Sequence, residues 1–322
     1  MTVQREAGWT VVVPDALLSG AAGWPRRWGL TRIVSRGVRR TLGIHGSYDI
    51  IGWSITGHAA PTSAWPPAPV SWIADFGGEA PLGVLRIDPV CLTPGPRGLS
   101  MMPSGSIDLG IAEAARLGAA LAAEFRSRGI GVRIAAADRW YMTLPHLPDI
   151  PWWAPEIVAD ESVLSFLPAG EAGGELRRIV NEIQVVLHDH PDNAGRRDRL
   201  APEINSVWAW GWARRPLLRV GAVVARVHAD HPYARGLAIL AGTPVSGPAE
   251  RDEELADSGA VVAPGDRGDD PEWLETVWGR CLRRAADRRR TTMVRLVTPG
   301  GQVVEYAPGL TGRSRRPWAW SK

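Results

Sequence analysis

The chain has 322 residues, 45% of them apolar and 22% charged, which is enough to build a core and excludes wholesale disorder. It holds no run of about 18 apolar residues, so no membrane-spanning helix is expected. The net charge is +3, and the only cysteines, Cys91 and Cys281, lie far apart; this excludes a disulfide framework and a zinc-knuckle spacing.

The length fits two domains or one large one. Residues 1–8 carry Arg5 and Glu6 and no apolar core of a secretory signal, so a cytoplasmic protein is expected. Lys322 is the only lysine; every other basic residue is arginine. Arginine suits bidentate contacts to phosphate or carboxylate, although a coding bias explains the same choice. Sixteen tryptophans against three phenylalanines require indoles in the core or along pockets.

In chain order, residues 9–13 (WTVVV) read as a buried strand ended by Pro14 and Asp15. Residues 58–69 are Pro-rich and read as a loop, followed by strands over 70–76 and 83–88, the second ending at Asp88-Pro89. Residues 94–106 read as a Gly-, Pro- and Ser-rich loop in which Ser106 caps the next helix. That helix carries Ile111, Ala114, Leu117, Leu121 and Phe125 at helical spacing and stops at Gly129. Residues 144–155 are loop-like. Residues 171–190 form the clearest helix, stopped by Pro191. A strand is expected over 216–228, a short helix over 234–241, irregular acidic chain over 244–270 and an amphipathic helix over 272–290. A hairpin over 293–306 then turns at Thr298-Pro299-Gly300-Gly301. Three regions result: 1–93, an N-terminal α/β region; 94–243, a central region bearing the motifs; and 244–322, a helix, a hairpin and a basic Trp-containing tail. One continuous domain is the alternative. The fold class is α/β, a mixed sheet flanked by helices.

At about 100° per residue, Arg177, Asn181, Gln184 and His188 fall on one stripe of the 171–190 helix. Leu176, Ile179, Val180, Ile183 and Leu187 fall on the opposite, core-facing stripe. A cation, two amides and an imidazole are groups that grip an oxyanion or a hydroxylated ligand. A solvated polar face, with His190 capping the last carbonyls, accounts for the same pattern. Asn193, Arg196 and Arg197 follow, in a turn stiffened by Pro191 and Pro202. Strand alternation over 204–212 puts Trp208, Trp210 and Trp212 on one face, ready to stack on a base or sugar or to pack in the core.

The string from Asn181 to Asn193, NEIQVVLHDHPDN, resembles the NEIQMLLHxHPVN motif of a bacterial family labelled cofactor-independent phosphoglycerate mutase or RpfE-type regulatory protein. Asn205 to Gly211, NSVWAWG, is similar to that family's NSLWLWGGG motif and to the NxIWLWGxG segment of archaeal-type cofactor-independent mutases. Asp88-Pro89-Val90 and Arg139-Trp140-Tyr141 resemble its DPVHL and RWYL motifs, and Arg316-Pro317-Trp318-Ala319-Trp320 its closing residues. The chain departs where Cys91 replaces the histidine of DPVHL, Asp192 the valine of HPVN, and Trp212 and Ala213 two glycines. A bulky Trp212 would fill space near a bound ligand.

The resemblance implies an alkaline-phosphatase-like architecture and a small anionic substrate. Arg139, Arg177 and Arg197 would clamp the anion, and Asn181, Gln184, Asn193 and Asn205 would orient its hydroxyls. Trp208 and Trp210 would pack beside it. His188, with His190, would be acid or base, and Glu182 would orient an arginine or histidine. It also implies a divalent metal, Mn or Mg, and no organic cofactor. Such mutases use two metals held by Asp and His clusters, several near the C-terminus; here His231 is the last histidine. Asp15, His228, Asp230 and His231 are the residues with ligand chemistry. The alternative is therefore a non-catalytic regulatory or binding protein that keeps the pocket without the metals. The chain contains no P-loop, no GxGxxG after a strand, no HExxH and no GxSxG. The basic runs at 283–290 and 313–316 are short and read as solvated helix faces, so no nucleic-acid partner is expected.

Overall fold

The computed structural model describes residues 8–13, 37–44, 46–57, 65–96, 98–146, 150–159, 161–212, 220–247, 260–263 and 293–306. The chain forms two compact units. One comprises residues 1–62 and 219–322, and the other is the intervening stretch 63–218. The outer unit starts with β1 (Trp9–Val12), β2 (Val38–Thr41) and α1 (Ser47–Thr56). β1 is the expected first strand, and all four of its side chains are buried, as in a strand covered on both faces. α1 ends at Gly57, whose φ of 71° suits glycine and whose N–H donates to Trp53 O at 2.8 Å.

The intervening unit opens with α2 (Pro67–Phe76). This corrects the strand expected over 70–76. An apolar run buried on nearly every side shows no period, and Pro67 and Pro69 sit in the first helical turn, where a missing N–H breaks nothing. β3 (Val84–Gly95) and β4 (Gly98–Pro103) form a hairpin where a loop was expected. β3 passes through Asp88-Pro89 instead of ending there. Its pairing with β6 runs through Arg86 and its pairing with β4 starts at Val90. Pro89 falls in the gap between them, where a residue without an N–H is tolerated.

α3 (Ile111–Phe125) buries Ala114, Leu117, Gly118, Leu121 and Phe125, as its spacing predicts, but Ile111, the first residue of that stripe, is exposed in the opening turn. Its N-cap is Gly110; Ser106 lies in a preceding 3₁₀ turn. The hairpin of β5 (Gly131–Ala136) and β6 (Arg139–Thr143) follows. Next come the single turn α4 (Pro155–Val158), then α5 (Gly170–Asp189), α6 (Pro191–Asp198) and β7 (Ser206–Trp210). β3 is the spine of this sheet. Arg86 pairs with both Tyr141 and Trp210, and Val90 with both Pro103 and Ser206, so β6 and β4 share one edge of β3 and β7 takes the other.

The faces of this sheet differ. On one, Leu85 and Ile87 join Trp140, Met142 and Val207 under the apolar stripes of α3 and α5. On the other, Val84 and Tyr141 meet Trp72 and Phe76 of α2.

The outer unit resumes with β8 (Arg226–Ala229), α7 (Pro232–Leu240), β9 (Val245–Ser246), β10 (Ala260–Ala263), β11 (Val294–Val297) and β12 (Gln302–Tyr306). The sheet order is β2-β12-β11-β1-β10-β8-β9; the run from β11 to β9 is parallel, and β12 and β2 add antiparallel. The 293–306 hairpin is as expected. The strand expected over 216–228 is confined, among the described residues, to its last positions and Ala229. The stretch 244–270 supplies β9 and β10, the latter between β1 and β8, where irregular chain was expected. Acidic and glycine residues around four apolar ones masked that strand. The helix expected over 272–290 and the basic tail lie outside the described residues. The composition boundaries at 93 and 243 fall inside β3 and between α7 and β9, whereas the compact units divide at 62/63 and 218/219. Among the described residues no helix is long and apolar enough to cross a membrane. The architecture is mixed α/β, with sheets flanked by helices.

Candidate functional site

α5 positions the polar stripe. Leu176, Ile179, Ile183 and Leu187 are buried in the core, which fixes the helix's rotation about its axis. Arg177, Asn181 and Gln184 then face a cavity of about 340 Å³. β7 and Trp212 form a second wall, and Pro151, Trp152 and Trp153 a third. Val163 and Phe166 of a further 3₁₀ turn (Val163–Phe166), with Leu167 and Pro168 after it, close it, together with Leu92 and Leu99 from the β3–β4 hairpin. The helix and the tryptophan motif therefore meet at one pocket, as their sequence implied, but its lining is mostly apolar.

The polar groups in this cavity are few and mostly engaged. Trp152 Nε1 donates to Trp212 O at 3.0 Å, and Trp208 Nε1 donates to Trp153 O at 2.8 Å. These indoles present rings to the cavity, with their N–H groups tied to backbone. Gln184 Nε2 donates to Ser206 Oγ at 3.0 Å, joining α5 to β7. Arg177 donates through Nη1 to Pro168 O and through Nη2 to Gly170 O at 3.3 Å. Those bonds hold the guanidinium at the cavity. Among the described residues it forms no ion pair with a carboxylate. Asn181 is exposed.

The other candidate residues stand elsewhere. His188 is exposed near the end of α5, one turn beyond the cavity, where its backbone O accepts from Arg197 at 3.5 Å. His190 is the N-cap of α6, its Nδ1 accepting from Asp192 N at 3.2 Å. Glu182 pairs with Arg128 on the surface. Arg197 pairs with Glu203 at 2.5 Å. Arg139 is held by Asp75 through two bonds of 2.8 and 3.0 Å. The three arginines thus do not converge; only Arg177 reaches the cavity. Asn193 is fully buried and bonds to backbone of Leu187 and Ile204. Asn205 exchanges two bonds with the Leu92 backbone, at 2.7 and 2.8 Å. The three tryptophans do not share a face. Gly211, at φ 76°, ends the alternation; Trp208 and Trp212 line the cavity, and Trp210 does not.

Trp210 belongs to a buried polar network that the sequence reading missed. Arg86 donates to both carboxylate oxygens of Asp88 at 2.7 Å, and Trp210 Nε1 donates to Asp88 Oδ2 at 2.8 Å. The Arg86 guanidinium lies over the rings of Trp210 and Tyr141, 5.0 and 5.5 Å from their centroids. Tyr141 in turn donates to Asp75 at 2.6 Å. Burial pushes the Asp88 carboxyl above its ordinary range, against the pull of Arg86. Burial likewise raises the Tyr141 hydroxyl, keeping it protonated as a donor. The available signal was the spacing: Arg86 and Asp88, two apart in a strand, share a face. Cys91, where the resembling family has histidine, is buried in the core opposite Met102, and burial pushes its thiol up.

The implied metal has no matching donor set among the described residues: no three His, Cys, Asp or Glu side chains are grouped to hold one ion. His228 is buried in β8 with Nδ1 2.9 Å from Ser246 Oγ, and His231 is the N-cap residue of α7. Asp15 lies outside the described residues.

No family model matches the sequence. Over 99 residues the chain is 30% identical to the probable 2,3-bisphosphoglycerate-independent phosphoglycerate mutase of Geobacter sulfurreducens. That match covers 28% of this chain and 24% of the relative, so it spans about a quarter of the relative's length. Among solved structures, the PH0037 protein from Pyrococcus horikoshii has a similar fold, with a TM-score of 0.56 at 14% identity over 95% of this chain and 89% of that one. The cofactor-independent phosphoglycerate mutase from Thermoplasma acidophilum aligns with a TM-score of 0.42 at 14% identity, over 95% of this chain and 91% of that one.

Proposed function

We propose that this protein is a mutase-related binder of a small anionic ligand, held in the cavity between α5 and β7. The observation that carries this reading is Arg177, positioned at the cavity by two backbone carbonyls and without a carboxylate partner among the described residues. A guanidinium in that state has donors left for a carboxylate or phosphate. Asn181 and Gln184 on α5 and Ser206 on β7 add uncharged polar groups to the lining. The local similarity to the Geobacter protein supports the mutase-like relationship. Binding has better support than acid–base catalysis by His188, because His188, His190 and Glu182 all stand outside the cavity.

Calorimetric titration of the full chain with phosphate esters and carboxylates tests this. Binding that Arg177→Gln weakens and His188→Ala leaves intact is the expected result. The second reading, phosphoglycerate-mutase-type turnover, rests on the Geobacter similarity. Conversion of 3-phosphoglycerate in the presence of Mn²⁺, abolished by His188→Ala, would establish it instead.

A further inference from the structure

We infer that the cavity takes a small amphipathic anion, a flat apolar or aromatic body carrying one carboxylate, in preference to a compact hydroxylated phosphate ester. The inference rests on the reading that the cavity binds an anion at Arg177.

The walls decide the body. Trp152, Trp153, Trp208 and Trp212 surround the space, and the indole N–H groups of Trp152 and Trp208 are already bonded to backbone carbonyls inside the unit. Such rings offer faces and apolar edges, which suit offset stacking against a flat ligand. A phosphoglycerate-like molecule is polar on every side. Its hydroxyl and one of its two anionic groups would lie against these walls and lose hydrogen bonds to water without replacement. The volume, about 340 Å³, lies at the lower end of small-molecule sites of roughly 300–1,000 Å³.

The charge decides the head. Among the described residues Arg177 is the single cation lining the cavity, and a planar guanidinium matches one carboxylate in a two-point contact. Gln184 is turned toward Ser206, so the remaining polar wall is uncharged. Trp153, 41% exposed, and Leu167, 39% exposed, both line the cavity, so its apolar surface continues to solvent. That gives a ligand body a route in and room to extend.

The test is titration of the full-length protein with 2-naphthoate, neutral 2-naphthamide and 3-phosphoglycerate, read by calorimetry and by quenching of tryptophan fluorescence. The expected order is naphthoate tightest. Arg177→Gln should weaken naphthoate about tenfold or more, the scale of a lost charge-assisted hydrogen bond, and leave the amide unchanged. Trp153→Ala, at a half-exposed position, should weaken both aromatic ligands. Tighter binding of 3-phosphoglycerate, lost in Arg177→Gln, would overturn the amphipathic ligand and leave the anion reading standing. Naphthoate binding indifferent to both substitutions, or no binding of any of the three, would overturn both.

Discussion

Asn193 holds both backbone polar groups of Ile204: its Oδ1 accepts from Ile204 N at 2.9 Å, and its Nδ2 donates to Ile204 O at 2.8 Å. The same Nδ2 also donates to Leu187 O at 2.6 Å. One fully buried amide therefore ties the end of α5, the start of α6 and the approach to β7. Leu187 O keeps His190 N as a donor at 3.2 Å, but Asn193→Ala removes the side-chain partners of both Ile204 N and Ile204 O, at about 1–3 kcal/mol each. A loss of about 3 kcal/mol or more is expected in urea unfolding, with the midpoint lowered and the slope unchanged. A loss below about 0.5 kcal/mol, the range of an ordinary surface change, would contradict this role.

The contrast between α5 and α2 shows what the sequence carried. In α5 one stripe is apolar and the other polar, so the period of Leu176, Ile179, Ile183 and Leu187 is visible, and Arg177, Asn181 and Gln184 were legible as one row. α2 is apolar all round, and its ten residues read equally well as a strand. The cavity was half legible. Its α5 and β7 walls come from motif residues, but Trp152, Trp153 and Phe166 come from irregular chain with no periodicity to reveal them. His188 was placed in the row correctly by angle, but angle does not say where along the helix the opposing wall stops.

Arg86 and Asp88 give a prediction in pH. Burial raises the Asp88 carboxyl above its unfolded value of 3.8, with Arg86 opposing. A carboxyl raised on folding contributes stability that is fully present below the unfolded value and is lost as pH rises through the folded one. Removing Arg86 raises it further. Arg86→Met should cost about 3–5 kcal/mol near neutral pH, because an uncompensated charge stays buried. The deficit should shrink as pH falls toward 4. Adding Asp88→Asn, which keeps an acceptor for Trp210 Nε1, should recover much of the loss and flatten the pH dependence. Unfolding curves of wild type and both variants across that range test it; an Arg86→Met deficit that grows on acidification would refute it.

His190 gives a smaller effect with a specific rescue. As the N-cap of α6 its ring accepts from Asp192 N, satisfying one of the free donors of the first turn. His190→Ala should destabilise by about 1 kcal/mol, and His190→Asn should restore most of that, since asparagine is a preferred cap. Because His190 is not among the cavity-lining residues, neither variant should shift naphthoate affinity by more than about twofold, a few tenths of a kcal/mol. A large change in affinity with unchanged stability would place the ring in the ligand site.

Gly211 links the tryptophan motif to α2. Its φ of 76° lies in the left-handed region, and a Cβ there would come within 3.1 Å of Ala68 N and 3.3 Å of Pro67 Cβ. Ala68 N also donates to Gly211 O at 2.8 Å, so the first turn of α2 is seated on this residue. An L side chain in this conformation costs about 1–2 kcal/mol, and the contact with α2 adds to it. Gly211→Ala should therefore lose at least that much stability, while Gly211→Asn should lose less backbone energy, because asparagine tolerates the conformation, but should still press on α2. The residue also sets where Trp212 points, since it breaks the alternation that would otherwise carry Trp212 onto the face of Trp208 and Trp210. Relaxation of Gly211→Ala toward negative φ should displace Trp212 from the cavity and break the Trp152 bond to its carbonyl. Stability and naphthoate binding should then fall together in this variant. A Gly211→Ala protein that unfolds at the wild-type midpoint and binds with wild-type affinity would show that neither the turn nor the tryptophan depends on glycine at this position.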